Sequence, residues 1–217
     1  MANRPSRILI VDDHPVARAG LRSIIADEPD LSVCGEVGSI RDALEVVRTA
    51  APDLVLVDIS LQDGSGIDLI KRLKVHNPEL KMLVCSMHEE SLFAERAINA
   101  GARGYVNKHQ VTGQVLEAIR QVLAGRIYLS EKMVERVING FAKKKEGGAS
   151  SIEDLSDREL EVFGLIGQGM STSKIAERLH LSVKTVESHR EKIKRKLGLA
   201  TSGELVRHAV QWHMEQS

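Results

Sequence analysis

The feature that most constrains this chain of 217 residues is an alternation between short apolar segments and longer segments of helical period, repeated five times. Apolar runs such as ILIV and LVLV lack a polar face, which is typical of strands buried on both sides of a parallel sheet. Glycine or proline residues lie where consecutive strand–helix units join. The pattern predicts an α/β domain with a doubly wound, five-stranded parallel sheet. The predicted strands are Arg7–Val11, Leu31–Val37, Asp53–Val57, Met82–Ser86 and Gly104–Val106, and the predicted helices are Val16–Asp27, Arg41–Ala50, Ile67–His76, Leu92–Ala100 and Gly113–Ala124.

The last third of the chain shows no strand signal and predicts a small all-α domain. A capping-box sequence at Ser156 begins one helix, which Gly167 and Gly169 are expected to end. A short helix opening at Ser171, a turn at His180 and a longer helix over Ser182–Leu197 follow. Short helix, tight turn and longer basic helix are typical of a helix-turn-helix motif. The predicted domains are residues 1–125 and 152–217, joined by a linker at 126–151 that contains a possible helix, Glu131–Ala142, and a hydrophilic stretch, Lys143–Ser151.

The cellular location is predicted from the cysteines and from the lack of targeting and membrane-spanning segments. Cys34 and Cys85 both fall within apolar runs and are expected to be buried thiols rather than disulfide partners, which suits a reducing compartment. The sequence contains neither a signal-peptide core nor a membrane-spanning stretch. We therefore expect a cytoplasmic protein without a membrane partner.

Charged side chains follow three of the predicted strands. Asp12 and Asp13 follow the first strand, Asp58 the third and Lys108 the fifth, while Ser86 ends the fourth. Carboxyl ends of parallel strands face one crevice, so these groups are expected to converge. Two carboxylates about 4 Å apart repel by roughly 4 kcal/mol at an effective dielectric near 20. Such a cluster suits Mg²⁺, and an Asp can act as nucleophile toward a phosphoryl group stabilised by the lysine.

A structural role is the alternative for any single Asp at a strand end. Asp commonly forms turns or caps helices, and that role is assigned to Asp53 and Asp63. An adjacent Asp-Asp pair placed together with Ser and Lys on successive units favours a functional site instead.

The segment Ser182–Leu197 carries six Lys or Arg and two Glu, a net charge of +4 in a chain whose formal net charge is zero. Its apolar side is predicted to contain Val183, Val186, Ile193 and Leu197. A solvated helix face is the alternative, but the preceding turn and short helix favour binding to double-stranded DNA. Base-facing positions are predicted at Lys184, Thr185, Glu187, Ser188 and Glu191, and phosphate-facing positions at Lys192, Arg195, Lys196, Thr172 and Lys174.

Two motif sets give the chain a resemblance to bacterial two-component response regulators of the NarL/FixJ class over nearly its whole length. The first set is LIVDDHP, LVLVDISLQDGSGIDL, LVCSMH and ARGYVNK, which resembles a flavodoxin-like receiver domain. The second is LSDRELEVFGLIGQGMSTSKIAERLHLSVKTVESHREKIKRKLGL, which resembles a LuxR-type helix-turn-helix domain. The resemblance implies transcriptional regulation controlled by a histidine kinase, and a homodimer on paired DNA half-sites.

The resemblance also implies roles for individual residues. Asp58 would accept the phosphoryl group, and Asp13, Asp58 and the backbone carbonyl of Ser60 would hold Mg²⁺, with Asp12 acting through water. Ser86 and Tyr105 would form the switch pair, and Lys108 would clamp the phosphoryl group. No catalysis is implied beyond the protein's own phosphorylation and dephosphorylation.

Three points stay open at this level. Glu187 could accept a hydrogen bond from cytosine or exclude unsuitable sites by repulsion. Val206, Val210 and Trp212 could form a dimer face or close the domain core, and Val206 is assigned to the core. The competing functions are a phosphatase, disfavoured because Ser60 stands where such enzymes place a second Asp, and a phosphorylation-independent DNA-binding regulator with an unused pocket.

Overall fold

The computed structural model describes residues 4–87, 90–108, 112–131, 133–135 and 152–216. The chain divides into two compact units, Met1–Lys143 and Lys144–Ser217. None of the helices in the described ranges is long and apolar enough to span a membrane. Of the predicted linker helix, Glu131 and residues 133–135 are helical; its remainder and the hydrophilic stretch at 143–151 lie outside the described residues.

The first unit is built on five parallel strands in the order β2-β1-β3-β6-β7, which confirms the predicted doubly wound sheet. The order reverses beside β1, because β2 lies on one side of it and β3 on the other, and ligands bind beyond the strands at such a point. The elements are β1 Ser6–Val11, α1 Pro15–Ala26, β2 Leu31–Val37, α2 Ile40–Ala50, β3 Leu54–Val57, β4 Ser60–Leu61, β5 Gly64–Ser65, α3 Gly66–His76, β6 Lys81–Ser86, α4 Glu90–Ala100, β7 Tyr105–Asn107 and α5 Thr112–Leu123.

The two central strands are buried on both faces, as their unbroken apolar sequences predict. Every residue of β3, and Ile8–Val11 of β1, is at most 1% exposed. One face packs against Leu21 and Ile25 of α1 and against Ile119 of α5. This rigid central pair carries the acidic residues, which follow β1 and β3 directly.

The short hairpin of β4 and β5 was not predicted. Ser60 pairs with Ser65 and Leu61 with Gly64 in antiparallel register, immediately after the third sheet strand. Asp63 lies in its turn, and its carboxylate accepts hydrogen bonds from the backbone N–H groups of Ile40 and Arg41 at the start of α2. The helix-capping role predicted for Asp63 is therefore confirmed.

The described part of the second unit, residues 152–216, forms a 3-10 turn at Ile152–Asp154 and four helices. Ser156 and Glu159 form the predicted capping box, and Ser171 and Ser182 cap the next two helices through the N–H groups of residues 174 and 185. The helices are α6 Asp157–Gly167, α7 Thr172–Arg178, α8 Val183–Leu197 and α9 Ser202–Gln216. The order α7, turn, α8 confirms the helix-turn-helix prediction.

Three details of this unit differ from the predictions. Gly167 does not merely end α6: a Cβ there would lie 2.6 Å from the carbonyl oxygen of Ala209, so glycine permits close packing of α9. Val183 and Val206, both predicted to face the core, are 44% and 40% exposed. The interior positions of α9 are occupied instead by buried Leu205 and Ala209 and by Trp212, whose ring lies 5.2 Å from that of Phe163.

Candidate functional site

Backbone hydrogen bonds fix Asp12 and Asp58 at the carboxyl edge of the sheet. The N–H of Asp12 donates to the carbonyl of Val37 at 2.9 Å, and the N–H of Asp58 donates to that of Val11 at 2.8 Å. Asp12, Asp13 and Asp58 are all buried, with exposures of 1, 7 and 4%. Together with Lys108 they form what we call the acidic pocket. The sheet brings these residues together as the sequence predicted.

Lys108 provides a buried positive charge between two of these carboxylates. Its N–H donates to the carbonyl of Ser86 at 2.9 Å, which anchors it beside the end of β6. Its Nζ lies 2.6 Å from Asp12 Oδ2 and 2.7 Å from Asp58 Oδ2. Burial alone lowers the pKa of Lys108, but the charges of Asp58 and Asp12 outweigh it and raise the pKa above its ordinary value. Lys108 is therefore held in its charged form.

Sequence reasoning missed His14 as a member of this cluster. Its Nδ1 lies 2.7 Å from Asp13 Oδ1, 3.4 Å from Asp12 Oδ1 and 3.9 Å from Asp58 Oδ2. The sequence did offer one signal, which is that His14 follows the acidic pair directly. The turn that leads into α1 brings its side chain back over the end of β1. One ligand atom from each of these four residues lies within 4.8 Å of the others.

Gly66 was predicted only as a structural breaker, but it lies against the backbone of Asp58. A Cβ at Gly66 would lie 1.9 Å from the carbonyl oxygen of Asp58. The N–H of Gly66 also donates to the carbonyl of Ile59 at 2.7 Å. Because only glycine fits there, the start of α3 can pass directly against the backbone of Asp58 and hold the loop after β3 in place.

Ser86 and Tyr105 lie side by side in the interior next to the acidic pocket. Ser86 ends β6 and is fully buried, and Tyr105 opens β7 and is 1% exposed. Their side chains are hydrogen-bonded. Burial, and then the charge of Asp58, raise the pKa of Tyr105 well above its ordinary value, so the phenol stays neutral. The structure thus connects the pocket to an aromatic side chain at the far edge of the sheet.

The helix α8 has one buried side and one exposed side. Val186, Ile193 and Leu197 are buried, as predicted for the apolar stripe. Lys184, Lys192 and Arg195 are exposed and form no salt bridge within the described part of the chain. The exposed members of the predicted DNA-facing set are Lys174, Lys184, Glu187, Ser188, Glu191, Lys192 and Arg195; Thr172 and Thr185 are half-buried in the first turns of α7 and α8.

Lys196 has internal partners, unlike the other cations predicted to face phosphate. Its Nζ lies 2.7 Å from Glu159 Oε2 and 2.9 Å from the carbonyl oxygen of Asp154. This ion pair ties the last turn of α8 to the capping box of α6. These contacts favour a positioning role for Lys196, and its contact with DNA phosphate stays a prediction.

Two further side chains of α8 are restrained. Glu191 pairs with Lys194 at 2.9 Å, which neutralises part of its charge. The side chain of His189, on α8, is half-buried. Its burial is the largest cause that lowers its pKa, and the charges of Lys192 and Arg158 lower it further. A neutral, inward His189 agrees with a packing role.

Two family models match the chain and together span both units. The model of the response regulator receiver domain matches residues 8–120. The model of bacterial regulatory proteins of the luxR family matches residues 153–209. The first match contains the whole acidic pocket, and the second contains α7 and α8.

Curated relatives match over nearly their full lengths. The transcriptional activator protein ExaE of Pseudomonas putida is 35% identical over 204 residues, covering 94% of this chain and 95% of that protein. The oxygen regulatory protein NreC of Staphylococcus carnosus is 34% identical over 209 residues, covering 94 and 96%. Both names describe regulators.

Solved structures show the same architecture. A two-component response regulator of the LuxR family from Aurantimonas sp. SI85-9A1 is 32% identical, with a TM-score of 0.59 over 64% of this chain and 99% of that chain. RcsB from Salmonella enterica serovar Typhimurium, bound to a promoter in the presence of the phosphomimetic BeF₃⁻, is 24% identical, with a TM-score of 0.63 over 95 and 98%. At that identity the second likeness shows the fold alone.

Proposed function

This chain belongs to the response regulators with a LuxR-type helix-turn-helix domain, DNA-binding transcriptional regulators of two-component systems, and on that premise we propose that phosphorylation of Asp58 controls its DNA binding. The observation that carries the proposal is the ammonium group of Lys108, 2.7 Å from a buried Asp58 carboxylate at the reversal of strand order. A buried carboxylate with an adjacent fixed cation can attack phosphorus and have the new charge stabilised.

The phosphoryl donor is a phosphohistidine of a histidine kinase. An oxygen of Asp58 forms a bond to phosphorus while the P–N bond breaks, and the imidazole leaves with the electron pair and takes up a proton. The product is an acyl phosphate on Asp58. The N–H of Ile59, which donates to Asp58 Oδ1 at 2.7 Å, orients the carboxylate so that its other oxygen faces Lys108.

The donor set of the acidic pocket fits Mg²⁺, because it is dominated by carboxylate oxygens placed within 4.8 Å of one another. Asp13, Asp58 and the backbone carbonyl of Ser60 would hold the ion, with Asp12 acting through water. When bound, Mg²⁺ would supply positive charge to the phosphoryl oxygens. Lys108 supplies the same kind of charge from the end of β7, at the same edge of the sheet.

Ser86 and Tyr105 transmit the modification. We propose that the Ser86 hydroxyl moves to hydrogen-bond the phosphoryl group, and that the buried Tyr105 ring is stabilised in its inward position. The oxygens of a phosphoryl group on Asp58 compete with the Tyr105 hydroxyl for the hydrogen bond of Ser86. When Ser86 turns to the phosphoryl group, the surface around β7 changes from its unphosphorylated to its phosphorylated arrangement. In the phosphorylated arrangement, the surface around β7 favours formation of a homodimer.

The DNA-binding unit places α8 in the major groove of paired half-sites. Lys184, Thr185, Glu187, Ser188 and Glu191 face base edges, while Lys192, Arg195, Lys174 and Thr172 face phosphates. RcsB, a structure of the same fold, is bound to a promoter, which supports DNA binding by a chain of this fold. The proposed roles agree with the exposure of these residues, apart from the half-buried Thr172 and Thr185.

Labelling with acetyl phosphate tests the pocket directly. Wild-type protein is expected to become phosphorylated only with Mg²⁺ present, and Asp58→Asn to remain unlabelled. Asp68→Asn is the matched control, because Asp68 is an exposed carboxylate on α3 that pairs with Lys71. Absence of Mg²⁺-dependent labelling in the wild type would favour the alternative, a DNA-binding regulator whose pocket is unused.

A further inference from the structure

The segment Arg126–Ser130 belongs to the predicted linker, and it lies along the outer edge of the sheet. The N–H of Tyr128 donates to the carbonyl of Arg103 at 3.0 Å, and the carbonyl of Tyr128 accepts from the N–H of Tyr105 at 2.9 Å. These two hydrogen bonds form a parallel bridge beside β7, the last strand of the sheet. We call residues Arg126–Ser130 the edge strap.

A second element holds the far end of the edge strap. The N–H of Ser130 donates to Glu90 Oε1 at 3.0 Å, and Glu90 is the first residue of α4. The hydroxyl of Ser130 accepts from the N–H of Met133 at 3.2 Å, which caps the helical residues that follow. The side chain of Met133 is buried. The edge strap therefore connects β7 and α4 to the first turn of the linker helix.

Gly104 makes room for the edge strap. A Cβ at Gly104 would lie 2.7 Å from the carbonyl oxygen of Tyr128, which is the atom that accepts from Tyr105. The same Cβ would lie 3.1 Å from Tyr128 Cβ. Glycine is required at this position by the close approach of a neighbouring backbone. The contact between β7 and the strap is thus written into the sequence of the strand.

We propose that the edge strap transmits phosphorylation of Asp58 to the linker, because its hydrogen bonds to β7 and α4 open more often once Asp58 is phosphorylated. The proposal rests on the proposed function, in which Ser86 exchanges Tyr105 for the phosphoryl group. In the structure, the strap is bonded to the backbone of Tyr105 while the side chains of Tyr105 and Ser86 are hydrogen-bonded to each other. Phosphorylation disfavours that arrangement and therefore weakens the attachment of the strap.

The strength of the attachment suits a switch. One hydrogen bond typically changes an equilibrium by about fivefold. The three bonds that Tyr128 and Ser130 make to β7 and α4 together amount to roughly 100-fold. Coupling between two sites usually lies at about 5- to 150-fold, so opening of the strap is sufficient to account for it.

Hydrogen exchange of single amides, followed by NMR in the full-length protein, tests the opening. We expect the N–H groups of Tyr105 and Ser130 to exchange at least about fivefold faster after phosphorylation by acetyl phosphate. The N–H of Val84 donates to the carbonyl of Gly104 on the inner side of β7, so its rate should stay unchanged and serves as the control. Equal rates at Tyr105 and Ser130 with and without phosphorylation would overturn the proposal.

Two variants test whether the edge strap controls DNA binding. Glu90→Ala removes the acceptor of Ser130, and Glu90→Gln retains an acceptor oxygen. Gly104→Ala displaces the Tyr128 carbonyl, and Gly113→Ala is its control because the added Cβ meets nothing within 4 Å. We expect Glu90→Ala and Gly104→Ala to be labelled by acetyl phosphate as fast as wild type. Their ratio of DNA affinities, phosphorylated over unphosphorylated, is expected to fall by at least about fivefold, whereas both controls keep the wild-type ratio.

The outcomes separate this proposal from the proposed function. A wild-type affinity ratio in Glu90→Ala would overturn the role of the edge strap alone, and this variant decides the question even where Gly104→Ala does not fold. A wild-type protein that is not labelled, or whose DNA affinity does not change on labelling, would overturn the proposed function and the role of the strap together.

Discussion

The acidic pocket and the recognition helix α8 both concentrate charge, but they place it in opposite environments. In the pocket, Lys108 is 8% exposed and lies within 2.7 Å of two carboxylates. On α8, Lys184, Lys192 and Arg195 are exposed and have no salt bridge within the described ranges. This contrast fits the proposed function, in which the pocket takes one small ion and one phosphoryl group and the helix takes the extended polyanion DNA.

This difference determines what single substitutions should do. Removing one charge from a buried pair leaves the other charge without compensation in a region of low dielectric, which is costly for folding. Removing one exposed cation costs little in the free protein and shows its effect only when DNA is bound.

Lys108→Met is expected to have the largest effect on stability. It leaves the Asp12 and Asp58 carboxylates facing each other, and we expect the free energy of unfolding without metal to fall by about 3–5 kcal/mol. Urea unfolding followed by far-UV circular dichroism measures the loss, with Trp212 fluorescence marking the second unit separately. If Mg²⁺ binds the native pocket as proposed, adding it should restore part of the stability. Unchanged stability in EDTA would show that the lysine does not compensate these carboxylates.

Gly66→Ala should disturb the pocket through the backbone rather than through charge. The added Cβ meets the Asp58 carbonyl oxygen at 1.9 Å, so the loop must shift. We expect a loss of about 1–3 kcal/mol in the free energy of unfolding, together with slower acetyl phosphate labelling. Gly113→Ala is the matched control, because nothing lies within 4 Å of its added Cβ in α5. A control that loses as much as Gly66→Ala would remove the steric explanation.

Lys196→Met and Arg195→Met separate positioning from DNA contact on adjacent residues. Lys196 pairs with Glu159 and is 35% exposed, so its loss should destabilise the second unit by about 1 kcal/mol. Arg195→Met should leave unfolding unchanged but reduce the slope of log affinity against log salt by about 0.9, the value for one phosphate contact. Trp212 fluorescence and DNA titrations at several salt concentrations measure the two effects. The reverse pattern would return Lys196 to the DNA surface.

The smallest effect concerns pH. Burial alone raises the pKa of Glu159, but the bonds from Lys196 and Ser156 outweigh it and hold the pKa below its ordinary value of 4.5. A lowered folded pKa means that this carboxylate stabilises the fold fully above 4.5 and loses that contribution as pH falls through the folded pKa. The difference in unfolding free energy between wild type and Glu159→Gln should therefore be constant at neutral pH and shrink below 4.5. A difference that grows on acidification would contradict this sign.

The parallel sheet and the acidic residues could be predicted because local pattern determines both. Unbroken apolar runs mark buried strands, and residues that follow parallel strands must meet at one edge. The same reasoning placed Lys108 beside Asp58 without any coordinates. The capping box at Ser156 was also a local signal.

The remaining details depend on contacts between distant parts of the chain. Nothing in the periodicity of α8 distinguishes Lys196 from Arg195; only the position of Glu159 on another helix does. Val206 has the spacing of a core residue, yet α9 turns Leu205 and Ala209 inward because Gly167 permits close packing there. His14 was missed because its position beside the three carboxylates results from the turn after β1 rather than from an apolar or charged pattern in the sequence.

The most direct test of the account is the affinity of the full-length protein for one operator, selected from random duplexes, with and without phosphorylation at matched salt. Protein phosphorylated by acetyl phosphate is expected to bind about 5- to 150-fold more tightly than the unphosphorylated protein, the usual range for coupling between two sites. Asp58→Asn should bind with the weaker affinity whether or not acetyl phosphate is present. Equal affinity of the phosphorylated and unphosphorylated wild type would contradict the claim that Asp58 controls the DNA-binding helix.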